Sequence, residues 1–325
     1  MISAINNARI QEILWAPEDR DEAWRIDLQR FQQGDVMLTR RSAGESSIKA
    51  IQRLLIFLGY STSSSGAFAI DGDFGRGTNR AVAQFRFEHS PATRISRETL
   101  CYDCNWQNAR KNITVIPDVR LTVQTLETML KNALQAIDTG DMMCGSFEEA
   151  IFHLNAVHQR TLFTCKQIHQ RYGPPTVQAL MQIKEEQGVN VQPEWILTII
   201  KQETGGVVRP RFEQHLLTRF NRQEPAADFV ELRYRSMSFG LGQILGDNFQ
   251  RVGAPSAHAM FVSPLNEQVL FIARFLVSKR HVVSKKNPSE QDFREIAKYY
   301  NGPGYESHHY HEGIARWFRE FRTIL

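Results

Sequence analysis

The stretch "PEWILTIIKQETGG", residues 193–206, places a carboxylate where a general acid would be useful. Glu203 shares the apolar stripe of the predicted helix, because it follows Ile196, Ile199 and Ile200 at spacings of seven, four and three residues. Burial and the negative end of the helix dipole both disfavour a charged carboxyl group there, so both should raise its pKa. A carboxyl that keeps its proton near neutral pH is suited to glycosidic bond cleavage.

The same helix has an interpretation without chemistry. Glu203 could be an exposed glutamate at a frayed helix end, or a partner of Arg209 or Arg211. Two later segments favour the catalytic interpretation, namely "SMSFGLGQILGDNF" at 236–249 and "KYYNGPGYESHHYH" at 298–311. Their glycines let the backbone approach a ligand closely, and Tyr and Asn side chains can stack on and hydrogen-bond a sugar.

The order of these motifs, with "RPRFEQHLLTRF" between the first two, resembles the lysozyme-like superfamily of goose-type lysozymes and lytic transglycosylases. Within it, residues 175–325 look most like the N-acetylmuramidase domain of modular phage endolysins. Thr204, Gln214 and Phe239 depart from the residues usual in that family. The resemblance implies that Glu203 donates a proton to the oxygen between N-acetylmuramic acid and N-acetylglucosamine.

A second catalytic carboxylate is harder to assign. We predict Glu213, because it lies within a matching motif, while Asp228, Glu231 and Asp247 stay open. The structural alternative for Glu213 and His215 is a buried ion pair that ties the segment after the Gly-Gly turn to the catalytic helix. The predicted substrate-binding residues are His215, Ser238, Gly240, Gln243, Tyr300, Asn301 and Tyr305.

A second module is predicted near the N-terminus. The stretch "IKAIQRLLIFLGYSTSSSGAFAIDGDFGRGTNRAVAQFRFEH" reads as two helices joined by a structured turn, and it resembles the three-helix peptidoglycan-binding module of cell-wall hydrolases over about residues 34–110. The loop 61–69 looks long for that family. Most of the motif residues have fold-forming roles, with a left-handed turn at the glycines and a cap from Thr78. Those taken as module residues are Tyr60, Asp71, Phe74 and Thr78.

Neither a metal nor another cofactor is predicted. His308, His309 and His311 suggest a metal site, but cleavage by an acidic glutamate requires none. Cys101 and Cys104 form only half of a zinc pattern.

Composition limits the remaining possibilities. The 325 residues carry a formal net charge of +4, with the basic excess in the terminal segments, which fits a modest attraction to an anionic polymer. We expect peptidoglycan rather than nucleic acid as the partner, a monomer, and no stable membrane insertion. The start of the chain does not resemble a secretory signal, so we expect synthesis in the host cytoplasm before action on the wall.

The sequence thus predicts a mostly α protein with four parts: an N-terminal helical extension (1–33), the peptidoglycan-binding module (34–112), a helical connector (113–174) and a lysozyme-like muramidase domain (175–325). We expect an endolysin that cleaves the β-1,4 bond after N-acetylmuramic acid. The alternatives are a lytic transglycosylase that forms 1,6-anhydro ends and a non-catalytic wall-binding virion protein.

Overall fold

The computed structural model describes residues 4–17, 19, 22–34, 44–89, 101–102, 113–114 and 121–325, with 101–102 and 113–114 described by backbone alone. The described chain is mostly helical, which confirms the predicted fold class. It divides into two compact units. The N-terminal unit comprises Met1–Arg160 and Arg209–Ser238, and the C-terminal unit comprises Thr161–Val208 and Phe239–Leu325.

These units do not follow the predicted four-part division. The predicted connector is split, because its first helices lie in the N-terminal unit and its last in the C-terminal unit. The predicted muramidase domain is also divided, since residues 209–238 pack with the N-terminal unit.

The helices of the N-terminal unit come from both of its segments. They are α1 (Ala8–Leu14), α2 (Ala23–Gln32), α3 (Glu45–Phe57), α4 (Arg76–His89), α5 (Val123–Thr139), α6 (Phe147–His158), α9 (Gln214–Gln223) and α10 (Phe229–Arg235). Two antiparallel strand pairs accompany them. Strand β1 (Cys101–Tyr102) pairs with β2 (Ile113–Thr114), and β3 (Arg211–Phe212) pairs with β4 (Met237–Phe239) so that Arg211 is opposite Ser238.

The C-terminal unit is a helical bundle with one short strand. Its elements are α7 (Cys165–Gln187), α8 (Pro193–Thr204), β5 (Ile244–Leu245), α11 (Ala257–Val262), α12 (Leu265–Leu276), α13 (Arg280–Val283), α14 (Glu290–Asn301) and α15 (Tyr310–Ile324). The core forms around α8, where the buried ring of Trp195 lies 4.7 Å from the Phe318 ring and 5.2 Å from the Phe293 ring, centroid to centroid.

A fully buried arginine joins helices that the sequence assigns to three different parts. Arg53 of α3 donates from Nε to the carbonyl of Ile13 at 2.6 Å and from Nη2 to Asn155 Oδ1 at 2.7 Å. A buried guanidinium is tolerated when its donors are paired in this way. The N-terminal extension, the peptidoglycan-binding module and α6 therefore share one core.

Two segments whose turn-forming residues indicate a break contain helix. Helix α7 runs through Pro174 and Pro175, although "RYGPP" predicts a break there. Its buried face, with Ile168, Tyr172 and Ala179, continues past the prolines, and packing outweighs the two lost backbone donors. The segment "RQEPAADFVELRYRSMSFG", residues 222–240, likewise indicates a break, but it contains α10, whose first turn is capped by Asp228.

The structure also bears on the cysteines and on the expectation about membranes. The half zinc pattern at Cys101 and Cys104 lies outside the residues whose side chains are described, and Cys144 and Cys165 are both buried. Within the described part of the chain, no helix has the length and hydrophobicity needed to cross a bilayer.

Candidate active site

Helix α8 has the ends that the sequence predicts. Pro193 is its first residue, and Gly205 follows its last residue in a left-handed conformation with φ of +58°. A left-handed residue after the last turn stops a helix, and glycine adopts it without steric strain. The catalytic candidate Glu203 is therefore held in the last turn, one residue before the end of α8.

Glu203 has the protonation behaviour expected of a general acid. Its side chain is half-buried, and burial raises the pKa of Glu203 to about 7, while a hydrogen bond from Tyr310 opposes the shift. This confirms the predicted direction of the pKa shift and its dependence on burial. One proposed partner from the non-catalytic interpretation is engaged elsewhere, since Arg211 Nε lies 2.8 Å from Glu213 Oε1.

The hydroxyl of Tyr310 donates a short hydrogen bond to Glu203 Oε1. Tyr310 is buried and opens α15, 107 positions further along the chain. Burial and the charge of Glu203 hold the pKa of Tyr310 well above its usual value, so it stays a neutral donor. Tyr310 was not among the residues predicted from sequence, although it lies in the segment 298–311. Its position directly after the Tyr- and Gly-rich loop is the sequence feature that could have indicated it.

The segment 240–243 is hydrogen-bonded to α8, which carries Glu203, and to α14. Thr204 Oγ1, next to the acid, lies 3.0 Å from the carbonyl oxygen of Leu241, and Tyr300 donates to the carbonyl of Gly242 at 2.7 Å. Burial and the charge of Glu203 raise the pKa of Tyr300 well above its usual value. Of the predicted substrate-binding residues, Tyr300 is thus placed close to the acid.

Gly240 and Gln243, which were also predicted to contact substrate, shape this segment. Both have positive φ angles, and Gln243 Nε2 donates to the carbonyl of Gly240 at 3.2 Å. The amide of Leu241 donates to Gln268 Oε1 at 3.2 Å, so Gln268 of α12 helps to fix the conformation of the turn. The half-buried side chain of Gln243 stays a candidate for contact with substrate.

The loop after α14 is open to solvent. Asn301 is exposed, and the half-exposed Tyr305 donates to Glu306 at 2.9 Å. The exposed His309 lies 3.1 Å from Glu312, and the buried His311 packs edge-on against Tyr305. Across the described residues, no group of three or more His, Cys, Asp or Glu is arranged to hold a metal ion.

Three of the predicted catalytic and substrate-binding residues lie in the N-terminal unit. Glu213 is the residue immediately before α9, and its carboxylate pairs with Arg211 and lies 3.7 Å from His215 Nδ1. The His215 side chain is 62% exposed, so the pair with Glu213 is not the buried ion pair of the structural alternative. Ser238 is half-buried in β4, opposite Arg211.

Three of the four predicted peptidoglycan-binding residues lie in the interior of their module. Gln52, buried in α3, donates to Asp71 at 2.7 Å and to Thr78 at 3.0 Å. Thr78 donates to the carbonyl of Asp73 rather than capping the start of α4. Tyr60, Phe74 and Thr78 are at most 3% exposed, whereas Asp71 is exposed. The buried side chains of Tyr60, Phe74 and Thr78 therefore stabilise the module, and they are not accessible to a polymer in this structure.

Two regions of the chain match known protein families. Residues 146–322, more than half of the chain, match the N-acetylmuramidase family, and residues 44–90 match a putative peptidoglycan-binding domain. The chain belongs to the N-acetylmuramidase family. These matches confirm the predicted modular architecture, in which a peptidoglycan-binding module and a muramidase domain share one chain, and the prediction of a glycoside hydrolase that acts on peptidoglycan.

Among solved structures, the chain is similar to the crystal structure of a Burkholderia AP3 phage endolysin, with 16% identity and a TM-score of 0.33. The match covers 89% of this chain and 99% of the endolysin chain. No curated protein sequence matches the chain.

Proposed function

We propose that Glu203 is the general acid that cleaves the β-1,4 bond between N-acetylmuramic acid and N-acetylglucosamine in peptidoglycan. The observation that supports this most strongly is the half-buried carboxyl of Glu203, whose pKa of about 7 keeps much of it protonated near neutral pH. In the reaction, the proton moves from Glu203 to the bridging oxygen, the bond from that oxygen to the muramic acid anomeric carbon breaks, and Glu203 becomes a carboxylate.

Tyr310 has a distinct part in this proposal. Its hydroxyl donates to one carboxyl oxygen of Glu203, which leaves the other oxygen to carry the reacting proton. The same hydrogen bond stabilises the carboxylate that forms after proton transfer. Tyr310 therefore positions the acid and limits how far burial raises its pKa.

The attack on the anomeric carbon has two candidate routes. Glu213 is the proposed second carboxylate, which would act with a water molecule or as a nucleophile, and its half-exposed side chain is compatible with either. In the alternative route, a hydroxyl of the substrate attacks and leaves a 1,6-anhydro end. Mass spectrometry of digested peptidoglycan separates the two, because hydrolysis gives reducing muramic acid ends and transglycosylation gives 1,6-anhydro ends.

We also propose that the protein acts as an endolysin, a monomer made in the host cytoplasm that lyses the cell after release to the wall. The combination of a wall-binding module with a muramidase supports this, because a tether raises the effective concentration of enzyme at an insoluble polymer. Nucleic acid is not part of the proposal. A non-catalytic virion protein is the competing function, and it predicts binding to purified walls without release of sugar ends.

A further inference from the structure

Part of the sequence that matches the muramidase family packs with the peptidoglycan-binding module. Residues 209–238 lie inside the muramidase match, yet they belong to the N-terminal unit, which also contains α3 and α4. This segment contains Glu213 and His215. The contacts between the module and the segment are of two kinds: a backbone pairing and a buried ion pair.

The backbone pairing uses the loop 61–69, which looks long for a module of this type. Ala67 forms an antiparallel bridge with Arg211, and the amide of Phe212 donates to the carbonyl of Gly66 at 2.9 Å. The guanidinium of Arg80 lies 5.5 Å from the centre of the Phe212 ring. The loop thus pairs with β3 through a backbone hydrogen bond and an isolated bridge, directly before Glu213.

Gly66 permits this pairing through its lack of a side chain. Its φ is +88°, and a Cβ atom built there would lie 2.0 Å from the carbonyl oxygen of Phe212. A backbone atom cannot swing aside as a flexible side chain does, so any other residue at position 66 would push β3 away.

The buried ion pair joins α4 to α10. Arg233 Nε lies 2.8 Å from Glu88 Oε1, with side chains only 3% and 1% exposed, and Arg233 Nη1 donates to the carbonyl of Gly59 at 2.9 Å. The hydroxyl of Tyr60 donates to the other carboxylate oxygen of Glu88 at 2.6 Å, so this hydroxyl is already hydrogen-bonded within the N-terminal unit. Next to the pair, the rings of Phe87 and Phe229 pack edge to face at 4.8 Å. A charged pair this well hydrogen-bonded fixes a single arrangement of the elements that it joins.

We propose that Gly66 and Glu88 are positioning residues for the muramidase reaction, because they hold the segment 209–238, which carries the proposed second carboxylate Glu213, in a single arrangement within the N-terminal unit. The peptidoglycan-binding module has this role in addition to binding the wall. The inference rests on the proposed glycosidase function. It differs from tethering in one measurable respect: a tether improves action only on an insoluble polymer, whereas positioning matters for every substrate.

The test compares Gly66→Ala with Gly72→Ala in the full-length protein. Gly72 is a matched control, because it lies in the same module with φ of +73°, but its added Cβ would meet the flexible side chain of Glu45. On soluble glycan strands released from peptidoglycan, kcat per folded molecule should fall about tenfold or more for Gly66→Ala and stay near wild type for Gly72→Ala. Equal kcat values for the two variants would overturn the proposal.

A second measurement does not depend on activity. Hydrogen exchange at Phe212, whose amide bonds to Gly66, and through 211–238 should accelerate in Gly66→Ala and remain slow in Gly72→Ala. Retained protection in Gly66→Ala would refute the positioning role. If the wild-type protein released no sugar ends, the proposed function would fail, and the exchange comparison alone would then decide whether the module holds the segment.

The ion pair gives an independent check through Glu88→Gln, Arg233→Gln and the double variant. Because the two side chains act as one unit, the double variant should lose no more soluble-substrate kcat than either single variant. Pull-down on purified peptidoglycan should remain near wild type for all three. Fully additive losses would contradict a shared positioning function.

Discussion

The hydroxyl of Tyr310 donates a hydrogen bond to the carboxyl of Glu203, and this contact joins the first turn of α15 to the last turn of α8. Burial raises the pKa of Glu203, and the tyrosine lowers it by stabilising the charged form. The pKa of about 7 is therefore a balance between two opposing influences, each of which can be removed by substitution.

Removal of the hydroxyl in Tyr310→Phe should raise the pKa of Glu203 further, since burial would then act alone. The acid would stay protonated to higher pH, so the alkaline limb of the pH profile of kcat/KM should shift upward. We also expect kcat to fall about tenfold, because the carboxyl is less well oriented. Peptidoglycan turnover measured between pH 5 and 9 checks both effects, and an unshifted or acid-shifted limb would argue against the contact.

The wild-type enzyme should lose activity as pH rises through about 7, the pKa of Glu203. A general acid must hold its proton in the free enzyme, and the alkaline limb of kcat/KM reports that ionisation. Initial rates on soluble glycan strands are the suitable measurement, because they separate the limb from any effect of pH on wall binding. An alkaline limb above pH 9 would be inconsistent with Glu203 as the acid.

The raised pKa of Glu203 also predicts a stability cost. The unfolded chain ionises this group above its ordinary pKa of 4.5, whereas the folded chain resists ionisation until about 7, so stability is lost as pH rises between the two values. Glu203→Gln should therefore be nearly neutral for stability at pH 4 and stabilising by up to about 3 kcal/mol at pH 8. Urea unfolding at the two pH values checks this, and an equal effect at both would contradict the pKa.

Thr204 provides a prediction with a conservative control. Its buried hydroxyl lies 3.0 Å from the carbonyl oxygen of Leu241 and accepts from the amide of Gly206 at 3.3 Å. Thr204→Val leaves both groups without this partner and should destabilise the protein by about 1–3 kcal/mol, with reduced kcat. Thr204→Ser retains the hydroxyl and should behave as wild type. Thermal unfolding and turnover distinguish the two, and similar losses in both variants would show that the methyl group matters instead.

Much of α8 could be predicted from sequence because its signals are local. Pro193 at the first position, apolar spacing around Ile199 and Ile200, and Gly205 after the last turn are all adjacent in the chain. The placement of Glu203 near the helix C-terminus and its raised pKa follow from the same few residues. The existence of α3 and α4 was predictable for the same reason.

The partners of these elements could not be predicted, because tertiary packing brings them together. Tyr310 reaches Glu203 across 107 positions, and Arg233 reaches Glu88 across 145, with no sequence period to connect them. The continuation of α7 through Pro174 and Pro175 depends on a buried face that outweighs local proline chemistry. Division of the muramidase sequence between two compact units likewise depends on contacts distant in sequence.

The most direct test of the central claim is the release of sugar ends from purified peptidoglycan by Glu203→Gln compared with wild type. The substituted amide would keep the size of the side chain and an oxygen for Tyr310 but could not donate the reacting proton as an acid does. We predict a folded variant that still binds peptidoglycan and releases ends at least about 100-fold more slowly. Wild-type release by Glu203→Gln would contradict the assignment of Glu203 as the general acid.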